Sequence, residues 1–333
     1  MEHSKEISGI KGSDMSIPPI LHNDNLIFDD IKRANLFNIY FSKQSKIDDS
    51  NSNIPNLSHV TNQISEIKLC ENEVEDVLKV IIPTKAPGPD LINPRLLKEA
   101  APIIKHPFCT LFNLSLRVAS YPSQWKRANI TPVFKNNKQN YVTNYRPISL
   151  LNVISKCMER CVYKHIHNHL LDNDILTTCT CQSGFTKGDS AVDQLINITN
   201  NFGKALDSGK EVWVVFCDIS KAFDRVWHKG LIHKLKQSGI SGNLLKWFQN
   251  YLYGREQRVV INGSNSNWLP IRAGVPQGFI LGPFLFIFFT NDIVNEINAE
   301  IKRFTDNTSL YLIVDNPSDT DFLLNQDLNQ MQR

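Results

Sequence analysis

The chain has no CxxC pair, no internal repeat and no apolar stretch long enough to cross a bilayer. Its longest apolar run, Phe279 to Phe289, carries Gly282-Pro283 and falls short of the ~20 residues a membrane-spanning helix needs. The opening Met1-Glu2-His3-Ser4-Lys5-Glu6 lacks the apolar core of a secretory leader. An intracellular, reducing setting is therefore expected, with the seven cysteines as free thiols. No basic import run separates nucleus from cytoplasm. Acid is also missing locally: none occurs between Glu99 and Glu159, while that stretch carries Lys105, Arg117, Lys126, Arg127, Lys135, Lys138, Arg146 and Lys156. A net charge of +3 is too small to imply a polyanionic partner, but this one segment should carry a positive field suited to phosphates.

What is present is enough for a large core: 333 residues, 41% hydrophobic and 21% charged. Residues 1–60, rich in Asn, Asp and Ser, read as a partly disordered arm with a helix from Phe28 to about Lys43. Residues 61–120 read as a helical lead-in. Val74, Val77, Leu78 and Ile81 repeat at helical spacing, and Pro83 with the turn Lys85-Ala86-Pro87-Gly88-Pro89-Asp90 stops them. Further helices are expected over Pro94 to Ala100, Ile103 to Ala119 and Leu151 to Leu171, and strands over Asn129 to Phe134 and Arg146 to Leu150. Residues 121–333 would form the main domain, of α+β class.

Val212 to Cys217 is a β-branched and aromatic run that predicts a buried strand ending at Asp218, with Phe223-Asp224 soon after. Helices follow over Lys229 to Lys236 and Gly242 to Leu252, then a hairpin across Asn262-Gly263. Ile301 to Phe304 and Thr308 to Val314 flank Asp306-Asn307, read as a two-residue turn, and a helix spans about Asp319 to Met331. Acids delivered by separate strands are what a pair of Mg²⁺ ions requires when phosphoryl transfer depends on positioning and charge neutralisation. Cys157, Cys161 and His165 also recur on one helical face, but zinc-ligand spacing is absent, so zinc is set aside.

These pieces, in order, carry a resemblance. Lys85 to Asp90, Trp125-Lys126-Arg127-Ala128, Pro132-Val133-Phe134-Lys135, Asn144 to Leu150, Gln182-Ser183-Gly184-Phe185, Asp218 to Asp224, Gly274-Val275-Pro276-Gln277-Gly278, Leu281-Gly282-Pro283 and Phe304 to Tyr311 resemble the reverse transcriptase domain of non-LTR, jockey-like retrotransposons. The resemblance implies a right-hand polymerase fold with fingers and palm, an antiparallel sheet packed on helices, acting as an RNA-directed DNA polymerase. It implies two Mg²⁺ ions on Asp218 and Asp306, template RNA, a DNA primer and deoxynucleoside triphosphates as partners, and no membrane. Lys135 and Arg146 match residues that clamp the triphosphate, and Phe223 matches the ring that excludes a 2′-hydroxyl. Gln277 and Gly278 match a loop beside the incoming nucleotide, while Asp224 matches a supporting acid.

The departures are as specific. Asn307 stands where the family has a second aspartate of the catalytic turn, Thr305 where it has Ala, Thr186 where it has Arg and Phe279 where it has Ser. The sequence stops at Arg333 inside the expected palm, so a missing thumb is expected. The alternative is a remnant that binds nucleic acid without polymerising.

Overall fold

The computed structural model describes residues 17–49, 52, 54, 57, 60–175, 190–278, 280–294, 297–315 and 320–331. In chain order the principal elements are β1 (Ile20–His22), β2 (Asn25–Ile27), α1 (Asp30–Gln44), α2 (Glu71–Lys79), α3 (Pro94–Glu99) and α4 (Ala101–Arg117). They continue with β3 (Arg127–Phe134), β4 (Tyr145–Leu150), α5 (Val153–Asp172), α6 (Ala191–Asp207), β5 (Glu211–Asp218), α7 (His228–Gln237) and α8 (Gly242–Leu252). After these come β6 (Arg255–Ile261), β7 (Ser264–Asn265), β8 (Leu269–Ile271), α9 (Leu281–Phe289), β9 (Glu300–Phe304), β10 (Asn307–Val314) and α10 (Thr320–Met331). They fall into two compact units, Met1–His169 with Phe223–Gly282, and Leu170–Ala222 with Pro283–Arg333.

The first unit is built on a sheet of order β4-β3-β6-β7, with β8 also paired to β6. β3 runs antiparallel to β4 but parallel to β6, so its pairing joins segments far apart in sequence. Pro132 faces Pro147 across β3 and β4. Proline is tolerated because β4 is an edge strand and β6 pairs with β3 only over Arg127–Ile130, leaving no ladder hydrogen bond for Pro132 to break. Alternation places Ala128, Ile130, Val259 and Ile261 on one face, in a single core with Ile20, Ala34, Phe37 and Phe41. Thus β1 and α1, expected from sequence to belong to an arm, supply part of this unit's core.

The start of α1 is set locally, since the Asp29 carboxylate accepts from the Lys32 amide at 2.8 Å. Its seating is not local: buried Asn38 donates to Ser266 Oγ at 3.0 Å and to the Asn267 carbonyl at 2.7 Å. A second group of rings, Tyr121, Trp125, Trp247 and Tyr251, packs edge-to-face and stacked at 5.1–5.6 Å. Trp247 is fully buried and donates from Nε1 to Ser115 Oγ at 3.0 Å, which ties α8 to α4.

The second unit is a three-stranded antiparallel sheet of order β5-β10-β9. Val215, Trp213, Leu310, Leu312 and Ile301 point to one face, where Leu324, Leu328 and Met331 of α10 cover them. Buried Asp327 fixes α10 by accepting from the backbone amides of Asn298 at 3.0 Å and Ala299 at 2.9 Å. On the other face α6 packs through a Phe202–Tyr311 ring contact at 5.1 Å and an Asn201 hydrogen bond to the Tyr311 hydroxyl at 3.0 Å, and its Gln194 donates to the Arg303 carbonyl at 2.9 Å near the turn end of β9. Toward Asp218 that face is open, with Phe216 81% exposed. Among the described residues no helix is long and apolar enough to cross a membrane.

Candidate functional site

Asp218 ends β5 and lies directly opposite Asn307, the first residue of β10. Both are exposed, and alternation puts them on the open face with Phe216. Asn307 also pairs with Phe304, so the connection between β9 and β10 is Thr305-Asp306, not the Asp306-Asn307 expected from sequence. In the observed turn Thr305, at φ 61°, takes the left-handed conformation that a hairpin of this length demands. A β-branched residue is poorly suited to that region. Asp306 is half-buried at the tip, and its carbonyl accepts from the Ile219 amide at 3.4 Å, which ties the turn to the residue after Asp218. Asp218, Asp306 and Asn307 are therefore brought together within the second unit, and none is sealed in apolar packing.

The donor chemistry fits a hard divalent cation. Two carboxylates plus the Asn307 amide oxygen are oxygen ligands of the kind Mg²⁺ prefers, and Mg²⁺ leaves positions for water and substrate phosphate. No group of three or more His, Cys, Asp or Glu side chains gathers among the described residues, so the carboxylate set stands at two. Asn307 has a second consequence. Cross-strand neighbours on one face approach within about 4.5–5.5 Å between Cβ atoms, where two like charges repel. The amide opposite Asp218 removes that repulsion as well as one ionised ligand.

The remaining expected site residues lie in the first unit. Phe223 and Asp224 sit in a short 3₁₀ turn, Ala222–Arg225. The Phe223 carbonyl accepts from the Val275 amide at 2.7 Å. Gly274, at φ 86°, makes this docking possible, because a Cβ there would fall 2.6 Å from the Phe223 carbonyl oxygen. The same loop carries Gln277 and Gly278, and Gly278 brings its backbone against the Ser149 carbonyl of β4, where a Cβ would stand at 3.2 Å. Gln277 also lines a cavity of about 50 Å³ with Lys126, Ser149, Asp224 and Arg255. Burial and the neighbouring Arg255 guanidinium hold the Lys126 ammonium below its usual pKa.

Lys135 and Arg146 stand at the β3–β4 hairpin, both exposed. The Lys135 amide donates to the Asn144 carbonyl at 2.8 Å, and Arg146 faces Val133. Not all of the acid-free stretch is open charge. Lys105 pairs with Glu75 at 2.6 Å and Arg127 with Glu256 at 2.9 Å, so acids from elsewhere in the chain neutralise part of it. Cys157 and Cys161 are buried thiols pushed up to about 12 by burial, and His165 Nε2 lies 3.1 Å from Glu73. Gln182 to Phe185, Thr186, Cys179, Cys181 and Phe279 lie outside the described residues.

Residues 134–332 match the family described as reverse transcriptase (RNA-dependent DNA polymerase). The chain belongs to the reverse transcriptase family. Three curated relatives from flies bear this out. The chain is 36% identical over 223 residues to the "Probable RNA-directed DNA polymerase from transposon BS" of Drosophila melanogaster, covering 66% of this chain and 24% of that protein. It is 35% identical over 227 residues to the "RNA-directed DNA polymerase from mobile element jockey" of Drosophila funebris, covering 67% and 24%. To the "Probable RNA-directed DNA polymerase from transposon X-element" of Drosophila melanogaster it is 37% identical over 223 residues, 66% and 24%. This reverse transcriptase chain thus spans about a quarter of the length of these relatives.

The structure adds a residue that motif reading does not reach. Glu159, on α5, is fully buried in the first unit and accepts from the Leu281 amide at 3.4 Å and the Tyr121 hydroxyl at 3.4 Å. Its carboxyl thereby meets the start of α9, three residues after Gly278. Burial pushes that carboxyl up to about 7. The one signal in the sequence is that Glu159 ends the acid-free stretch.

Proposed function

We propose that this chain is the fingers-and-palm part of an RNA-directed DNA polymerase from a non-LTR retrotransposon. The observation that carries the reading is the register of β5 against β10, with Asp218 opposite Asn307 and Asp306 next in the hairpin, on an open sheet face. In the reaction the primer 3′-hydroxyl oxygen forms a bond to the α-phosphorus of a deoxynucleoside triphosphate, and the bond to the bridging oxygen breaks, releasing pyrophosphate. Asp218 and Asp306 would hold Mg²⁺, which when bound supplies charge neutralisation at the reacting phosphate.

Each other residue has a role that its chemistry supports. Arg146 binds triphosphate oxygens through its planar fork and Lys135 binds them as a mobile point charge. The Phe223 ring excludes a 2′-hydroxyl by bulk. Gln277 orients the nucleotide, and Gly278 permits close backbone approach. The acid-free basic segment attracts template RNA.

Asn307 favours a second reading, a remnant that binds nucleic acid without polymerising. Loss of one preorganised electrostatic group costs roughly 100- to 1000-fold in rate. Primer extension on a homopolymer RNA template, with Mg²⁺ and then Mn²⁺, separates the two. Asn307→Asp should raise product by about 100-fold on the same scale, and Asp218→Ala should abolish it. Product that survives Asp218→Ala undiminished would refute the assignment of the acidic site. No gain from Asn307→Asp favours the binding-only reading.

A further inference from the structure

Phe223 and Gln277 lie on separate elements of the first unit, and one short stretch of backbone joins them. The Gly274 amide donates to the Val226 carbonyl at 2.9 Å, and the Val275 amide to the Phe223 carbonyl at 2.7 Å. The Gly274 carbonyl accepts from His228 Nε2 at 2.7 Å. All three partners come from residues 223–228, so the turn that carries Phe223 and the start of α7 together grip the root of the Gln277 loop. A Cβ on residue 274 would fall 2.6 Å from the Phe223 carbonyl oxygen, so the contact has no slack. Asp224, Gly274 and Gln277 line one cavity of about 50 Å³ beside this clasp.

His228 supplies the side chain of the clasp. It is 4% exposed, and its ring meets Tyr253 edge-on at 5.3 Å. Burial, with the Arg255 guanidinium, holds its pKa below the usual value, so the ring is neutral at neutral pH. The Gly274 carbonyl takes the one ring proton, on Nε2, and buried Nδ1 has no hydrogen-bond partner. Leaving a buried acceptor unpaired costs free energy, and a purely apolar ring of the same shape would avoid that cost. What the imidazole adds is the donor to Gly274. Its neighbour is fixed as well: Trp227 Nε1 donates to Asp49 at 3.1 Å, and the indole fills the space where Gly230 has no Cβ. The donor is thus delivered from an anchored segment, as precise placement requires.

We infer that His228 is a positioning residue that holds Phe223 against the Gln277 loop and thereby sets how strongly the nucleotide site rejects a 2′-hydroxyl. The role rests on the polymerase reading, which assigns Phe223 to that exclusion. Exclusion by bulk works only at a fixed distance, because displacing a group by about 1 Å can change rates by about 100-fold. His228 acts through the backbone of residues 223 and 274, not on the nucleotide itself.

Two measurements on the full chain test this. Equilibrium fluorescence titration with a labelled primer–template gives the affinity ratio of deoxynucleoside to ribonucleoside triphosphate, and hydrogen exchange follows peptides 223–228 and 272–278. His228→Phe keeps a ring without the donor and should lower the ratio at least about fivefold, within the sensitivity of a misplaced group. Exchange in both peptides should rise together by about 2- to 10-fold, the worth of one hydrogen bond. His228→Gln restores an N–H donor and should return both readings to within about twofold of the parent. Val74→Ala, a truncation of a fully buried side chain on α2, should lower the unfolding midpoint and leave the ratio unchanged. An unchanged ratio in His228→Phe, an equal fall in Val74→Ala, or no rescue by His228→Gln overturns the proposal. A parent that binds neither nucleotide refutes the polymerase reading and the discrimination with it. Exchange then still decides the clasp, since peptides that fail to loosen together in His228→Phe show that His228 does not join them.

Discussion

A group of rings buried together in the first unit contrasts with one ring left exposed beside the acids of the second. In the first, Tyr121, Trp125, Trp247 and Tyr251 are buried together, and loops are held by glycines that touch backbone. In the second, Phe216 stands 81% exposed two residues before Asp218, while Phe284, Phe286, Phe288 and Tyr311 are buried. The first is a rigid scaffold that presents loops. The second is a thin sheet, held from one side by α10, that leaves its acids accessible. The two acids of the candidate site thus lie on an open face, as expected where functional groups must stay accessible to a ligand.

The sharpest way to break that contrast is truncation of one ring in each unit. Trp247→Ala should cost about 3–5 kcal/mol, as for large core aromatics. Phe216→Ala should change stability by no more than about 0.5 kcal/mol, as for exposed sites. Urea unfolding midpoints of the two variants decide it, and equal losses would erase the distinction. Next in size, Gly274→Ala forces a Cβ to 2.6 Å from the Phe223 carbonyl and a strained φ, with an expected cost of about 1–3 kcal/mol. A crystal structure or hydrogen exchange of the 274–278 loop would show whether the loop has lifted.

A pH series probes the buried acid of the scaffold. The Glu159 carboxyl rises from 4.5 to about 7 in the folded chain, chiefly through burial. A group whose folded pKa is raised gives stability that is fully present below the unfolded value and lost as pH climbs through the folded one. Stability should therefore fall between about pH 4.5 and 7 for this group, and Glu159→Gln should flatten that slope and gain relative to the parent above it. An unaltered slope in Glu159→Gln, read by thermal unfolding across pH, would contradict this. The smallest effect lies in the second unit. Asn307→Asp places two acids opposite one another and should cost about 0.2–1 kcal/mol without metal, from cross-strand repulsion. Mg²⁺ should recover the loss, and recovery should vanish in Asp218→Ala.

Much of this is legible in the residues. The helix of Gly242–Leu252 follows from its amphipathic spacing with both ends correct, and β5 from its β-branched run ending at Asp218, but the strand expected to be buried has no fully buried residue because one of its faces is left partly open. Asn262-Gly263 does turn the chain, with φ of 49° and 79°, but it joins β6 to the two-residue β7. β8 then pairs back to Arg255–Gln257. The α9 helix escapes sequence reading because Leu281–Phe289 is apolar on every side and so has no period to detect. The α6 helix does carry a signal, Val192, Leu195, Ile196 and Phe202 at helical spacing, which the motif-led reading passes over. For the site, the residue types and order of Asp218, Phe223, Gln277 and Asp306 are readable, whereas the expected hairpin register is off by one. Positive φ favours Asp and Asn over Thr, so turn residues alone point to the wrong phase, and the observed phase goes with strand pairing that sets Asn307 opposite Asp218 and Phe304.

The residues alone determined the local elements, the family and the chemistry of the acidic turn, because periodicity, caps and side-chain type act over a few positions. Tertiary structure decided what no short window contains. It paired β3 in parallel with β6 across more than a hundred residues, and it drew α1 from an apparent arm into a core. It also set Asn307 across from Asp218 and Lys85 beside Lys156. Those arrangements depend on burying faces and closing loops between distant segments, and their free energy exists only once the whole chain has folded.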